Sequence, residues 1–198
     1  WQAKKSIFDF SCIQRGVRGY MWEFPCVVDG VPHCNYGIYD SNIGVRPRQP
    51  HGNFKQTFAD WLAERGVSMD SVELKGHPVR WFSRKAEFSK PRVLLTGDAA
   101  GVDPLFAEGI SYAMEYGTIV ADTICHAIEH GDYSFVDYRE RLLVSRMGKL
   151  LLRRVAIANA IYRYHLPPFW WLVWRFAGYA WPGMQQSIGA WMALLPAR

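Results

Sequence analysis

The chain has 198 residues, of which 49% are hydrophobic, 15% aromatic and 21% charged, and its formal net charge is +5. This composition excludes a disordered chain and is typical of one or two globular domains. The mild positive charge is compatible with nucleic acid or an anionic membrane surface, but the sequence contains no zinc-finger, helix-turn-helix or RNA-binding signature. We therefore expect no nucleic-acid partner.

The four cysteines, Cys12, Cys26, Cys34 and Cys125, form no C-x-x-C pair. They also form no cluster with histidine at the spacing of a metal site. We therefore expect buried, reduced thiols, no metal site and a cytoplasmic protein.

Residues 7–40 show the period-two pattern of antiparallel strands. Residues 7–12 and 20–24 alternate between apolar and other side chains, and residues 33–39 can run back after a hairpin turn at Asp29-Gly30. Tyr20, Trp22 and Phe24 share one strand face, because side chains repeat every second residue. Such a face is either part of a core or the wall of a ligand site.

A loop and a helix follow this sheet. Residues 43–52 are rich in Pro, Gly, Arg and Gln, which predicts a loop. Asn53 is a suitable N-cap for an amphipathic helix that ends at Gly66, and we expect this helix to pack on the sheet. Residues 72–88 have no clear pattern.

A strand, a tight turn and a helix are predicted next. Residues 93–95 form a short apolar run, which predicts a strand buried on both faces. Small and acidic residues between Gly97 and Gly101 predict the turn. A segment with helical apolar spacing then predicts a helix from near Glu108 to His130.

This turn has the composition of a ligand site. Gly97 and Gly101 allow close backbone approach, and the start of the following helix presents unpaired N–H groups and a positive dipole end. Asp98 would repel a phosphate but would accept hydrogen bonds from sugar-like hydroxyls, so the turn suits a polyol. The alternative is a purely structural turn in which Asp98 accepts backbone N–H groups.

The C-terminal part is predicted to be helical. Residues 138–164 combine helical apolar spacing with many arginines, and five of the nine tryptophans follow them. Prolines and polar residues interrupt every window of about 20 residues there, so no clean transmembrane span is predicted. Residues 139–198 are predicted to be either a peripheral membrane contact or a helical cap over the sheet.

The motif GDAAG, followed by P-L-x-x-E-G-I, resembles the second flavin-binding motif of FAD-dependent oxidoreductases built like p-hydroxybenzoate hydroxylase. It looks most like the geranylgeranyl reductase branch of that group. The resemblance implies that FAD is bound by Gly97, Asp98, Ala99, Ala100, Gly101, Pro104, Glu108, Gly109 and Ile110. The motif here is one residue shorter between Gly101 and Pro104, and Ala107 stands where glycine is usual.

A second motif, Y-x-W-x-F-P, is similar to the one that lines the substrate cavity of geranylgeranyl reductases. The resemblance implies an apolar tunnel for an isoprenoid chain, with Tyr20, Trp22, Phe24 and Pro25 as substrate-binding residues. It also places His77 in a segment that runs close to the flavin ring, although a lone histidine is more often structural.

The sequence contains no G-x-G-x-x-G motif, which such flavoenzymes use for the FAD pyrophosphate. The resemblance therefore implies the C-terminal portion of a mixed α/β and α+β flavoprotein with two domains. We predict part of an antiparallel substrate domain at 1–90, the C-terminal part of the FAD domain at 91–131 and a helical, Trp-rich region at 132–198.

The reaction implied by the resemblance is saturation of isoprenoid double bonds. Reduced flavin delivers a hydride to one carbon and a proton reaches the other, while NAD(P)H or ferredoxin supplies the electrons. No residue here is predicted to be the proton donor. The alternatives are a flavin-dependent monooxygenase or halogenase, and a non-catalytic fragment that binds a membrane or a partner.

Overall fold

A computed structural model describes residues 5–44 and 51–163. The strands in this part of the chain are β1 (Ile7–Asp9), β2 (Gly19–Val28), β3 (Val31–Asp40), β4 (Ser89–Lys90) and β5 (Val93–Leu94). The helices are α1 (Phe54–Ala63), α2 (Ile110–His130), α3 (Tyr138–Val144) and α4 (Arg146–Arg163), and short 3-10 turns cover Ser11–Arg15, Met69–Ser71 and Gly97–Ala99. No helix among the described residues is long and apolar enough to cross a membrane. The predicted Trp-rich segment, residues 164–198, lies outside them.

Strands β1, β2 and β3 form one antiparallel sheet in that order. The β2–β3 hairpin turns at Asp29 and Gly30, whose φ angles of 50° and 79° are both positive. Two positive φ angles are typical of the type I′ turn, whose twist matches that of the flanking strands, so the predicted hairpin is confirmed. The first strand is shorter than predicted, because the chain turns into a 3-10 helix after Phe10.

Helix α1 covers one face of this sheet, as predicted. The Asn53 side chain accepts a hydrogen bond from the Gln56 N–H at 3.0 Å and so caps the helix. Arg65 lies over the Trp61 ring at 3.6 Å from its centroid, and Trp61 Nε1 donates to Asp9 at 2.8 Å. The buried residues of this first core are Cys12, Val17, Met21, Phe58, Trp61 and Leu62.

Cys12 lies inside the first core, where its thiol donates to the Gly19 carbonyl at 3.4 Å. Burial, aided by the nearby charges of Asp9 and Asp40, raises the pKa of Cys12 to about 12. Cys125, by contrast, is exposed, so the expectation that all the thiols are buried is wrong.

We expect iodoacetamide at pH 8 to alkylate Cys125 and to leave Cys12 unmodified in the native protein, because only the thiolate reacts. Mass spectrometry of tryptic peptides reads both sites at once. Denaturation before labelling is the control and should expose Cys12. Equal native labelling of the two cysteines would contradict the buried position of Cys12.

Helices α2, α3 and α4 build a second core with the chain before them. Its buried residues are Phe82, Phe88, Ala100, Tyr112, Tyr116, Ala127, Phe135, Tyr138, Leu142, Met147 and Leu151. The predicted helix up to His130 is confirmed, with its start at Ile110. The helical region predicted over residues 138–164 is confirmed up to Arg163 and consists of two helices, because Ser145 has an extended ψ of 159° and its hydroxyl accepts the Gly148 N–H at 2.9 Å, which starts α4.

The strand predicted at residues 93–95 is also corrected. Strand β5 has two residues and pairs with β4 as a short hairpin, and Val93 is 51% exposed. Leu94 and Leu95 pack partly on the second core, and the Tyr138 hydroxyl donates to the Leu95 carbonyl at 2.8 Å. The apolar run is therefore buried on one side only in the part of the chain that the structure describes.

Helix α4 connects the two cores. Its buried positions recur at helical spacing and are Met147, Leu151, Arg154, Ala158 and Tyr162. Met147 and Leu151 belong to the second core. At the other end, burial raises the pKa of Tyr162, and Cys12 and Asp40 of the sheet region lie close enough to add to this shift.

Candidate functional site

The turn between β5 and α2 holds the first group of predicted cofactor residues. Two successive N–H groups, those of Ala100 and Gly101, donate to the Gly97 carbonyl at 3.0 and 3.1 Å and close the turn. Its exposed residues are Asp98 and Ala99, and its buried ones are Ala100 and Gly101. The turn thus presents a carboxylate on a backbone that is anchored in the second core.

The Asp98 carboxylate reaches the residue that precedes α2. A Cβ atom on Gly109 would lie 2.5 Å from Asp98 Oδ1, so glycine is required for this approach. Gly109 is the N-cap residue of α2 and provides no side-chain hydrogen bond, and Ile110, at the first helical position, is 84% exposed. The structure therefore brings the Asp98 carboxylate next to an uncapped helix N-terminus, whose N–H groups and positive dipole end face outward.

Glu108 lies beside this helix start and is half-buried. It accepts a hydrogen bond from the Ser111 hydroxyl at 2.5 Å, and its other oxygen lies 3.7 Å from Arg154 Nη1. Glu108 is therefore held by contacts within the protein, whereas Asp98 is open to a ligand.

Backbone hydrogen bonds hold Val102, which follows the turn, in place. Val102 donates its N–H to the Arg80 carbonyl and accepts the Phe82 N–H, both at 2.9 Å, in a parallel bridge with Trp81. Gly101 makes this close approach possible, since a Cβ atom there would lie 2.7 Å from the Phe82 backbone. The start of the loop that leads to α2 is fixed as a result.

Asp103 is the buried centre of this loop. Its carboxylate accepts the N–H groups of Leu105 at 3.0 Å and Phe106 at 3.1 Å, and Arg154 Nη1 donates to it at 2.7 Å. The side chains of Arg154 and Asp103 are 4% and 0% exposed. Burial raises the pKa of Asp103, although Arg154 and the two backbone donors oppose that shift.

The second group of predicted residues lies on the free face of the sheet. Tyr39 pairs with Tyr20 on this face and is buried. Five further aromatic side chains lie on the same face, and we call them the aromatic wall: Phe8, Phe10, Tyr20, Trp22 and Phe24. Neighbouring ring centroids are 5.0 Å apart for Phe8 and Phe24 and 5.8 Å apart for Tyr20 and Trp22. Tyr20 is buried and the other rings are half-buried, so the wall offers a broad apolar surface.

The Trp22 indole packs over a glycine on the neighbouring strand. Gly37 pairs with Trp22 in the sheet, and a Cβ atom on Gly37 would lie 1.9 Å from the Trp22 ring. Trp22 Nε1 donates to Asn35 at 2.7 Å. Pro25 follows Phe24 in β2, and strand alternation directs it to the opposite face, so the structure does not bring Pro25 onto the aromatic wall.

The loop around Asp103 joins the aromatic wall to the turn that contains Asp98. The Tyr20 hydroxyl donates to the Phe106 carbonyl at 2.6 Å, and the Tyr39 hydroxyl donates to the Pro104 carbonyl at 3.4 Å. The Phe106 ring lies 6.2 Å from Phe10 and 6.3 Å from Tyr20, between centroids. The two predicted groups, far apart in sequence, thus meet at one loop.

The structure also places a candidate that the sequence left open, and three residues that the sequence did not single out. His77 is exposed, in a segment without helix or strand. Asp103, Phe106 and Arg154 were not predicted, although they connect the predicted groups. The sequence pattern could have revealed that Arg154 is buried, because this residue falls on the apolar stripe of α4 instead of its charged face. No group of three or more potential metal ligands occurs among residues 5–44 and 51–163.

Comparison with known proteins gives distant similarities. The chain is 30% identical over 138 residues to digeranylgeranylglycerophospholipid reductases of Thermoplasma acidophilum and Thermoplasma volcanium, which covers 68% of this chain and 34% of each reductase. The chain is a distant relative of these reductases. It is also 28% identical over 160 residues to an uncharacterized protein of Methanosarcina barkeri, which covers 78% of this chain and 35% of that protein.

The chain spans about a third of the length of the curated relatives it matches. No protein-family model and no solved structure matches it. The distant similarity to digeranylgeranylglycerophospholipid reductases agrees in part with the relationship that the two motifs predicted, and it supports an oxidoreductase. The cofactor, the substrate and the two-domain flavoprotein fold stay predictions.

Proposed function

We propose that this chain is part of an FAD-dependent reductase that saturates carbon–carbon double bonds in the isoprenoid chains of lipids. The observation that carries the proposal is the contact between the aromatic wall and the loop that follows the Asp98 turn, through the Tyr20–Phe106 hydrogen bond of 2.6 Å. A reductase of this kind needs a polyol-binding turn and an apolar surface side by side. The distant relatives that are named as digeranylgeranylglycerophospholipid reductases agree with this reaction.

The residues of the turn fit a flavin cofactor. Asp98 is an exposed acceptor for hydroxyl groups. Gly109 has no side chain, which lets the Asp98 carboxylate lie beside the start of α2, since a Cβ atom there would lie 2.5 Å from Oδ1. The uncapped start of α2 adds N–H donors and a positive dipole end, which favour an electron-rich group. Bound FAD, once reduced, would supply the hydride for the double bond.

The protein's part is to bind and shield the apolar chain. The aromatic wall offers ring faces to an isoprenoid, and its one phenol already donates its hydrogen to Phe106. Burial raises the pKa of Tyr20, with smaller effects from Asp103 and Glu108, so the wall stays uncharged at neutral pH. An uncharged, apolar surface suits a lipid chain, which would exclude water from the reacting carbons when it covers the wall.

The test is an absorbance scan from about 300 to 550 nm of the purified chain with added FAD, beside Asp98→Ala. We expect bound, spectrally shifted flavin with the native chain and at least about tenfold weaker binding by the variant, since a hydrogen bond to a charged group contributes about 1.5–3 kcal/mol. Asp122→Ala is the matched control, because Asp122 is an exposed carboxylate on α2.

Anaerobic reoxidation of the reduced flavin by geranylgeraniol would then test the reaction, because alkene reduction does not need oxygen and hydroxylation does. Equal FAD binding by the Asp98→Ala and Asp122→Ala variants would contradict the assignment of Asp98. Hydroxylated geranylgeraniol that forms only in the presence of oxygen would favour a monooxygenase instead.

A further inference from the structure

The loop over residues 103–106 receives its shape from one buried carboxylate. Asp103 accepts two N–H groups from its own loop, and the third donor, Arg154, comes from the middle of α4. Replacing a buried ion pair with apolar residues is often neutral or stabilising, so the pair is a costly way to hold a loop. Its cost is visible here, because Arg154 Nε is buried without a hydrogen-bond partner among the described residues.

The Asp103–Arg154 ion pair fixes the position of the loop relative to the aromatic wall. The two loop N–H groups that Asp103 accepts belong to Leu105 and Phe106, and the Phe106 carbonyl accepts the Tyr20 hydroxyl. The Asp103 carboxylate therefore fixes the position of Phe106 relative to the aromatic wall. Arg154 in turn fixes the carboxylate, and the nearby Tyr112 ring, 5.6 Å from the guanidinium, limits where Arg154 can lie.

We propose that Arg154 is a positioning residue for the apolar substrate: through Asp103 it holds Phe106 against the aromatic wall and so sets the surface that the isoprenoid chain meets. Arg154 itself is buried on the α4 side of the loop. The inference rests on the proposed function, because it assumes that an isoprenoid binds the wall. It goes beyond that function by placing substrate affinity under the control of α4.

The experiment compares the full chain with Arg154→Met and Arg154→Lys, by amide hydrogen exchange and by equilibrium dialysis of radiolabelled geranylgeraniol. We expect Arg154→Met to speed exchange at the Leu105 and Phe106 amides by about tenfold or more beyond the change that lower global stability causes at the β2–β3 amides. Geranylgeraniol should bind about tenfold more weakly to this variant. Arg154→Lys should recover part of both changes, because one donor can still reach Asp103.

Lys149→Met is the matched control, since it removes an exposed positive charge from the same helix. If Arg154→Met does not fold, the double variant Asp103→Asn/Arg154→Met keeps the test open, because it leaves no buried charge unpaired and still removes the link to α4. A merely structural role would lower protection at the loop amides and at the β2–β3 amides by the same factor.

The outcomes separate the two proposals. If the native chain binds geranylgeraniol and Arg154→Met, or the double variant in its place, binds it equally well, the positioning role is overturned and the proposed function stands. If the native chain does not bind geranylgeraniol although the loop amides respond as expected, the proposed function and this inference fail together. Loss of binding with selective loop exchange, and partial rescue by lysine, supports both.

Discussion

Replacing Arg154 with methionine should lower the free energy of unfolding by about 3–5 kcal/mol, because the change leaves a buried carboxylate without its ion-pair partner. The Asp103 side chain is 0% exposed, and Arg154 Nη1 lies 2.7 Å from its Oδ2. Water cannot replace the lost partner without opening the loop. Urea denaturation followed by circular dichroism measures the effect.

Two variants control this expectation. Lys149→Met should change the free energy of unfolding by no more than about 0.5 kcal/mol, as is usual for exposed substitutions. Asp103→Asn/Arg154→Met should recover much of the loss, because neither remaining side chain is charged. A loss below about 1 kcal/mol in Arg154→Met would show that the pair is not the buried contact described above.

Gly101→Ala is expected to cost about 2–4 kcal/mol of folding free energy, from backbone strain and a steric clash together. Gly101 has a φ of 117°, and an added Cβ atom would lie 2.7 Å from both N and Cα of Phe82. The Phe82 backbone cannot retreat, because its N–H donates to the Val102 carbonyl at 2.9 Å. Thermal and urea unfolding of the variant would both report the loss.

Gly117→Ala provides a control of opposite sign. Gly117 lies inside α2, and an added Cβ atom would meet nothing within 4 Å. Alanine is favoured over glycine in a helix interior, so we expect a gain of up to about 1 kcal/mol. The structural assignment would be falsified by a loss at Gly117 as large as that at Gly101.

The sequence alone was sufficient to predict features that depend on a few neighbouring residues, such as a turn or a helix cap. The Asp29-Gly30 turn requires two positive φ angles, and Asn53 caps α1 with its own side chain, so both could be recognised from a few neighbouring residues. The aromatic alternation in β2 also correctly predicted that Tyr20, Trp22 and Phe24 share a face. Turns, caps and strand alternation are decided within about four residues of chain.

Long-range partners could not be predicted in this way. The apolar pattern at the start of α2 includes Ile110 and Met114, yet these are 84% and 75% exposed, while Tyr112 and Tyr116 are buried. The tyrosine side of the helix faces the core because the Tyr116 hydroxyl donates to the Gly101 carbonyl at 2.9 Å, and a buried phenol needs such a partner. That acceptor is set by the tertiary fold.

The same limit explains Arg154. Among the seven basic residues of 139–163 it looks like one more surface charge, and only the position of Asp103, 51 residues earlier, makes it a core residue. Apolar spacing located the stripe of α4, but spacing alone could not say that a charged residue on it would be paired.

Helix α4 places Met147 and Leu151 in one core, Arg154 at the loop and Tyr162 near the sheet. The direction in which each of these side chains points therefore depends on its position along the helix. One inserted residue between Leu151 and Arg154 would rotate everything after it by about 100° and shift it by about 1.5 Å. Arg154 would then point away from Asp103, although every other side chain kept its identity. The contact between Arg154 and Asp103 therefore depends on the number of residues in α4, and this chain should tolerate length changes in its loops far better than in α4.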